Sequence, residues 1–453
     1  MGNLLNSLVM VAESMRTTQL AIEVGGNNIA NAKTPGYTKQ RLDLVAKRFE
    51  VNNGFAGGVG AGKLLSGRKA YLEAGVQEQA HRYGRFSQQS AGLERIEPVF
   101  DVTANSGIGG SINRLFEAFS AWSVSPNDTP VRQAVLDRAG DLAQNFRFTV
   151  ASLATVKSDS QSQLQATVES INQIGQDVQK YNLEVRGDAR KLEDPGLEAQ
   201  VFRKLEDLAE LVDFDVIRSP DGSFAVNLGG QTPLTAGGSQ YPISVDLSGA
   251  EAQVRNAQGG VITGQIQQGR LGAQLELRNG FLPTLSTGLD RLARTIADSV
   301  NTALAGGLDR NGNTPGTDLF RYDSAAGEAG SLTVNGISTG ELAGASAAAP
   351  GGNGNALSLA DLAGARSIDD FTVSQFYGNL AGRVGRTLAN ARHDENTQSL
   401  LLTQAKNIRA GQSEVSLDEE AVNLVAFQRQ YEANAELIRI LNSLTETTIN
   451  ILR

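Results

Sequence analysis

Cysteine is missing from all 453 residues, which removes disulfides, thiolate metal sites and thiol nucleophiles together. Histidine is almost as scarce. His81 and His393 are the only two, too few and too far apart in sequence for the usual zinc or triad arrangements, and both are expected at the surface. A basic excess is lacking as well: 40 Lys and Arg stand against 49 Asp and Glu, a formal charge of −9, which argues against a nucleic-acid binder. No apolar run reaches the roughly 20 residues of a membrane helix. The opening MGNLLNSLVMVAESMR has no basic segment ahead of an apolar signal core, and Asn6 stands where a myristoylation signal beginning at Gly2 would need Ser or Thr. At roughly 100 to 200 residues per domain, two to four domains are expected, held by packing alone.

What is present is helical spacing at both ends. Leu5, Leu8, Ala12, Met15, Gln19, Ile22, Gly26 and Ile29 follow a three-four spacing along one helix stripe, interrupted at Gln19 and Gly26. At the far end Leu417, Leu424, Phe427, Tyr431, Ile438, Leu441 and Leu452 share one register, broken by Glu420, Asn434, Thr445 and Thr448. Such helices are marginal alone because nucleation is costly, so each needs an apolar surface, supplied by the other or by neighbouring copies. Burying each large seam side chain contributes roughly 1.5 to 3 kcal/mol. That is too little for one stable subunit pair after ordering costs, and enough when summed over a lattice.

Between the ends the spacing predicts more helix. Val131, Val135, Leu142, Phe146, Val150 and Leu153, then Leu164, Val168, Ile171, Val178 and Val185, read as long rods, capped by Asp128 or Thr129 with Pro130 in the first turn. Further helices are expected at 196–212, 284–304 and 374–408. From 214 to 264 Asp213, Asp215 and Asn227 alternate with apolar residues and Asp221-Gly222 makes a turn, which reads as short strands. The fold class expected is mainly α with a small inserted β domain, elongated and multidomain, with a long helical bundle and the N- and C-terminal helices paired as a coiled coil. The expected divisions are a terminal coiled-coil polymerisation domain (1–60 plus 411–453), a helical bundle (61–212 plus 265–304 plus 355–410), the β insertion (213–264) and a Gly/Ala/Ser-rich loop region (305–354) whose one strand-like piece is 331–335.

Two chemical lookalikes fail on their own terms. GGVGAGK at 57–63 matches part of a phosphate loop, but Leu64 has no hydroxyl for magnesium and VNNGFA before it is no buried strand, so a flexible Gly-rich loop is expected. Asp309, Asn311 and Asn313 open like a calcium loop whose twelfth position is Phe320 in place of glutamate. No catalytic residue, metal site or cofactor is expected.

The informative local segment is NNIANAKTPGYTKQ, residues 27–40. Asn28 and Asn31 tolerate left-handed backbone at a helix end, Pro35 disfavours helix at Thr34, and Pro35-Gly36 suits the centre of a type II turn. Tyr37 then leads into an extended run with Leu42 and Leu44. Downstream, Ser416 and Glu419 form a capping box that restarts a helix after Gly411 ends the previous one, leaving a hinge.

NNIANAKTPGYTKQ resembles the N-terminal signature of the bacterial flagellar rod, hook and hook-associated proteins, and SLDEEAVNLVAFQRQYEANAELI at 416–438 is similar to their C-terminal one. PVRQAVLDRAGDLAQNF at 130–146, DRNGNTPGTDLF at 309–320 and GGNGNALSLADL at 351–362 resemble the hook-associated protein 1 branch of that group. Gly25-Gly26 and Lys39, where arginine is frequent, depart from the pattern. The resemblance implies a structural, non-enzymatic component of the flagellar hook-filament junction, needed for filament assembly and exported by the flagellar type III apparatus. It implies a motif at Asn27, Asn28, Ile29, Ala30, Asn31, Thr34, Pro35, Gly36 and Tyr37. The polymerisation interface would hold Leu5, Leu8, Met15, Ile22, Ile29, Leu417, Leu424, Phe427, Tyr431, Ile438 and Leu441. Implied partners are further copies, hook protein, hook-associated protein 3 and an export chaperone at the C-terminal helix, with no nucleic acid and no membrane insertion. The alternatives are a hook or rod protein, whose middle would be chiefly β, and, from another class, a cytoplasmic nucleotide-binding or coiled-coil adaptor protein.

Overall fold

The computed structural model describes residues 2–48, 57–100 and 106–451. Leu452 and the VNNGFA stretch lie outside them. The chain is mainly helical with small antiparallel sheets. In order, it forms α1 (Gly2–Asn31), β1 (Gln40–Ala46), β2 (Val59–Ser66), α2 (Ala70–Glu94), α3 (Gly107–Val124), α4 (Thr129–Gly187) and α5 (Pro195–Leu211). Strands β3 (Phe214–Arg218), β4 (Phe224–Leu228), β5 (Thr232–Ala236), β6 (Ser239–Gln240), β7 (Ser244–Asp246) and β8 (Gln253–Arg255) follow. Next come α6 (Gly269–Glu276), α7 (Leu282–Ala305), β9 (Gly307–Leu308), β10 (Phe320–Arg321), α8 (Glu328–Ser331), β11 (Thr333–Val334), β12 (Ala345–Ser346) and α9 (Gly354–Asp361). Helices α10 (Val373–Ser413) and α11 (Leu417–Ile451) close the chain.

These elements fall into two compact units, each assembled from separate stretches. The first takes residues 1–83, 170–243 and 398–453. It holds α1, α11, the β1–β2 hairpin, α5 and the sheet ordered β3-β4-β5-β6. Asp221-Gly222 does turn β3 into β4: Gly222 takes φ +82° and its N–H donates to Ser219 O at 2.9 Å, a conformation glycine adopts without a Cβ penalty. The second unit takes residues 84–169 and 244–397, so the stretch 213–264 is divided between the two. Its core gathers Phe119, Trp122, Phe146, Leu289, Leu292, Ile296 and Val384. Helix α3 supplies Ile108, Ile112, Leu115, Phe119 and Trp122 to it, a three-four pattern as legible as any in the chain.

Four local expectations are corrected. Residues 59–63, expected as flexible loop, belong to strand β2, which pairs antiparallel with β1 from Gln40↔Ser66 to Ala46↔Val59; the glycines pass because a hairpin beside a helix needs little bulk. Gly411 does not end a helix, since α10 runs on to Ser413; one helical glycine costs only about 1 kcal/mol. Asn28 and Asn31 are helical, and the positive-φ residues other than glycine among those described are Asp369 and Asp370. His81 is buried at 6 % exposure, its ring edge-on to Phe214 at 5.2 Å, because α2 turns that face toward the start of β3.

One device recurs. Five asparagines on helical segments pair both ways with the backbone at or just before the start of a strand. Asn28 holds Gln40, Asn172 holds Ile243, Asn182 holds Phe224, Asn279 holds Ala252 and Asn301 holds Phe320. A primary amide offers one acceptor and a pair of donors, so it can replace a missing neighbour strand.

Candidate assembly interface at the paired termini

Helices α1 and α11 pack against each other, and α1 also packs on the β1–β2 hairpin. The α11 stripe is the one the spacing picks: Leu424, Phe427, Tyr431, Asn434, Ile438, Leu441, Thr445 and Thr448 are half-buried between exposed neighbours. The packed stripe of α1 is turned by one residue. Val11, Thr18, Ala21, Gly25 and Asn28 are buried, while Leu5 and Ile29 are exposed and Leu8, Met15 and Ile22 only half-buried. Bulk misled the sequence-based choice, because a helix with neighbours on two sides approaches closely through small side chains. A Cβ placed on Gly25 would lie 3.1 Å from Leu424 Cδ2. The buried hydroxyls of Thr17 and Thr18 are satisfied within α1, donating to the Glu13 and Ser14 carbonyls at 3.0 and 2.9 Å.

The turn after α1 is built as its residues require. The Tyr37 N–H donates to the Thr34 carbonyl at 3.1 Å, and Gly36 takes φ +81°, the third position of a type II turn. Gly36 is also obligatory for space, since a Cβ there would sit 2.7 Å from the Ala199 carbonyl oxygen on α5. The Tyr37 hydroxyl donates to Asn28 Oδ1 at 2.9 Å. That same oxygen accepts the Gln40 N–H at 2.9 Å, while Asn28 Nδ2 donates to the Gln40 carbonyl at 2.8 Å. Burial, with the Glu420 carboxylate second, pushes the Tyr37 hydroxyl up to about 12. It therefore stays a donor at physiological pH. Asn31 Nδ2 donates to Asn27 Oδ1 at 2.7 Å and its Oδ1 accepts from Thr34 Oγ1 at 3.2 Å, closing the helix end.

Lys39 joins this turn to the start of α11. Its ammonium lies 2.8 Å from Glu419 and 3.4 Å from the buried Glu420, and its N–H donates to the Ser413 carbonyl at 2.8 Å. The hydrogen bond that the Lys39 ammonium donates to Glu419 holds the lysine above its usual range, and Lys39 in turn lowers Glu419. Half of the expected capping box is present, with Ser416 Oγ accepting the Glu419 N–H at 3.4 Å. The Glu419 carboxylate is on Lys39. Leu417 is exposed because the inward position of that first turn belongs to Glu420.

Beneath the turn lies a charge network that sequence reasoning missed, because its members are remote in sequence. Arg68 Nη2 donates to the Gly36 carbonyl at 2.6 Å, Nη1 contacts Glu73 at 2.5 Å, and the guanidinium lies 3.9 Å above the Phe202 ring. Arg409 bridges Glu73 and Glu206 at 3.1 and 2.9 Å, and Lys406 reaches Glu206 at 2.7 Å. Burial alone would raise the Glu206 carboxyl, but Lys406 and Arg409 outweigh it and hold it low. Pairs this buried cost desolvation that only good geometry offsets, and they fix position more than they add stability. Here they set α2, α5 and α10 around Gly36.

The Asn28–Tyr37 hydrogen bond and the Asn28–Gln40 pairing tie the end of α1 to the start of β1, beside the packed pair of α1 and α11. The sequence profile of the flagellar hook-associated protein FlgK helical domain matches residues 93–320, about half of the chain. This chain belongs to the FlgK family. The flagella basal body rod protein profile matches residues 12–38, and the flagellar basal body rod FlgEFG protein C-terminal profile matches residues 411–451. Flagellar hook-associated protein 1 of Bacillus subtilis is 25% identical over 490 residues, covering 96% of each chain. The Escherichia coli protein of that name is 22% identical over 561 residues, covering 100% of both. The solved flagellar hook junction protein FlgK from Burkholderia pseudomallei shares the fold, with TM-score 0.67 at 15% identity, over 77% of this chain and 100% of its own.

Of the motif residues, Asn27, Asn28, Asn31, Thr34 and Tyr37 are linked to one another by hydrogen bonds, while Ile29 and Ala30 are exposed. The apolar residues expected to form the interface divide: Leu424, Phe427, Tyr431, Ile438 and Leu441 face inward on α11, while Leu5, Ile29 and Leu417 face solvent. Among the described residues no group of three or more His, Asp or Glu is placed to hold a metal ion. Asp309 Oδ1 instead accepts the Asn311 and Asn313 N–H groups at 2.7 and 2.8 Å, which makes a turn of the calcium-loop lookalike. No helix among the described residues is long and apolar enough to cross a membrane.

Proposed function

We propose that this chain, a structural component of the flagellar hook-filament junction, polymerises through the outward faces of its paired terminal helices. The observation that carries the reading is a second apolar stripe. Leu437, Ile440, Leu444 and Ile451 keep three-four spacing on the exposed side of α11, and Leu5, Val9, Leu20 and Ile29 are exposed on α1. A face of this kind on a folded chain marks an interaction surface. Within the FlgK-family context its occupants are further copies of the chain, with hook protein on one side and hook-associated protein 3 on the other. The role is structural rather than catalytic. Before assembly an export chaperone shields α11, and the flagellar type III apparatus carries the chain out.

Replacing Leu437 and Ile440 together by Asp tests this, because both side chains face solvent and the fold does not need them. Cells carrying that variant should make, export and fold the protein yet end in bare hooks under the electron microscope. Filaments of normal length on those cells would refute polymerisation through this face.

A further inference from the structure

The dipeptide Asn-Gly is chemically fragile, because the backbone nitrogen of a glycine, unshielded by any side chain, can reach the asparagine carboxamide carbon and close a five-membered ring. Four such pairs fall among the described residues: Asn279-Gly280, Asn311-Gly312, Asn335-Gly336 and Asn353-Gly354. Asn53-Gly54 lies outside them. Ring closure needs a carboxamide free to swing back over the chain, so the partners of each side chain decide which pair reacts.

Three of the four are held. Asn279 sits in the π turn at Leu277–Phe281 that joins α6 to α7, and both ends of its amide are taken by Ala252, at 2.8 and 2.9 Å. Asn335 Nδ2 donates to the Asp318 carbonyl at 2.7 Å. Asn353 Nδ2 donates to the Ser123 carbonyl at 2.6 Å, and a Cβ on Gly354 would lie 3.1 Å from Ser346. Each of these carboxamides must give up a hydrogen bond before it can swing.

Asn311 is exposed, and among the described residues its carboxamide holds no hydrogen bond. Gly312 beside it takes φ +82° and is open, with nothing within 4 Å of the place a Cβ would occupy. Its N–H donates to the Asp309 carbonyl at 3.2 Å, the long closing contact of a solvent-exposed turn. Asp309 organises that turn: Oδ1 accepts the Asn311 and Asn313 N–H groups at 2.7 and 2.8 Å, and its own N–H donates to the Asn313 carbonyl at 2.7 Å.

We propose that, of these four, Asn311 is the residue that converts spontaneously to aspartate and isoaspartate in the folded chain. The Gly312 nitrogen, its proton taken by hydroxide, bonds to Asn311 Cγ; the Cγ–Nδ2 bond breaks and ammonia leaves with a proton from water. Water then opens the succinimide. Attack at Cγ restores the ordinary chain as aspartate, whereas attack at the main-chain carbonyl leaves the peptide running through Cγ as isoaspartate. One water is consumed, one ammonia is released and nothing is oxidised or reduced. Isoaspartate adds a methylene to the backbone between Asp309 and Asn313, which the two hydrogen bonds linking those residues do not span. The site makes no use of the terminal helices, so its failure leaves the polymerisation reading untouched.

The test is incubation of the full chain at mildly alkaline pH in heavy-oxygen water, folded and in urea, followed by digestion in ordinary water and peptide mass mapping. Label at each position reports hydrolysis during the incubation alone. Folding should slow Asn311 by about threefold or less and slow Asn279, Asn335 and Asn353 by about tenfold or more, because those three must first open locally. Label at 311 should rise with pH and vanish in Asn311→Gln, whose ring would need six members. Amide exchange at Asn313 should quicken in the incubated chain and stay slow in Asn311→Asp, which adds the charge without the methylene. Slowing of Asn311 beyond threefold, or a folded-state rate no higher than that of Asn335 or Asn353, overturns the assignment. Unchanged exchange at Asn313 overturns the effect on the turn.

Discussion

Asn28 and Gln40 pair across a helix-to-strand corner as two strand residues would, with the amide of one donating to and accepting from the backbone of the other at 2.8 and 2.9 Å. Asn28→Leu keeps the volume and removes both partners, leaving the Gln40 backbone and the Tyr37 hydroxyl buried and unpaired. Leaving such groups unsatisfied costs about 1 to 3 kcal/mol each, so urea unfolding should shift to clearly lower denaturant. Tyr37→Phe removes one hydrogen bond and keeps the amide pairing, and should cost about 1 kcal/mol. Equal losses from the two substitutions would show that the amide is not the keystone.

Gly25 and Leu424 set the separation of α1 and α11, because a Cβ on Gly25 already falls at 3.1 Å from the leucine methyl. Gly25→Leu should force the helices apart, at the roughly 1 to 3 kcal/mol typical of overpacking. Amide hydrogen exchange should accelerate along α11 while α3 and α7 keep their protection. Uniform acceleration would mean that the damage is global.

His81 gives the first unit an acid limb. Burial, against the opposing pull of Glu78 and Asp215, lowers its imidazole from the usual 6.5 to about 4. The folded state thus binds fewer protons than the unfolded chain between those values. The contribution is complete above about 6.5 and lost as pH falls toward about 4. Denaturant midpoints measured across that window should decline for the wild type and decline less for His81→Gln. Parallel declines would assign the acid sensitivity to other groups.

The α11 stripe was legible because its inward positions carry Leu424, Phe427, Tyr431 and Ile438 with polar residues between them. Helix α1 carries apolar residues on more than one face, so spacing alone picked the bulky stripe of Leu5, Leu8, Met15 and Ile22. Close approach selected Ala21 and Gly25 instead. The turn at Thr34–Tyr37 could be read from Pro35-Gly36, since fixed φ and left-handed tolerance are local properties. The Arg68 network could not. Its partners come from residues 36, 73, 198 and 202, and only the folded chain brings them together. Asn28 lay between these cases: its place in the motif was visible, but its use as a surrogate strand neighbour depends on where Gln40 arrives.

The helix asparagines bear on how copies of this chain can meet. A strand whose first residue already has its amide and carbonyl answered by Asn28, Asn182 or Asn301 has little to offer a passing strand there, so sheet extension from one molecule into the next is discouraged where it would begin. A neighbour arriving at one of these corners meets side chains in place of an open backbone edge.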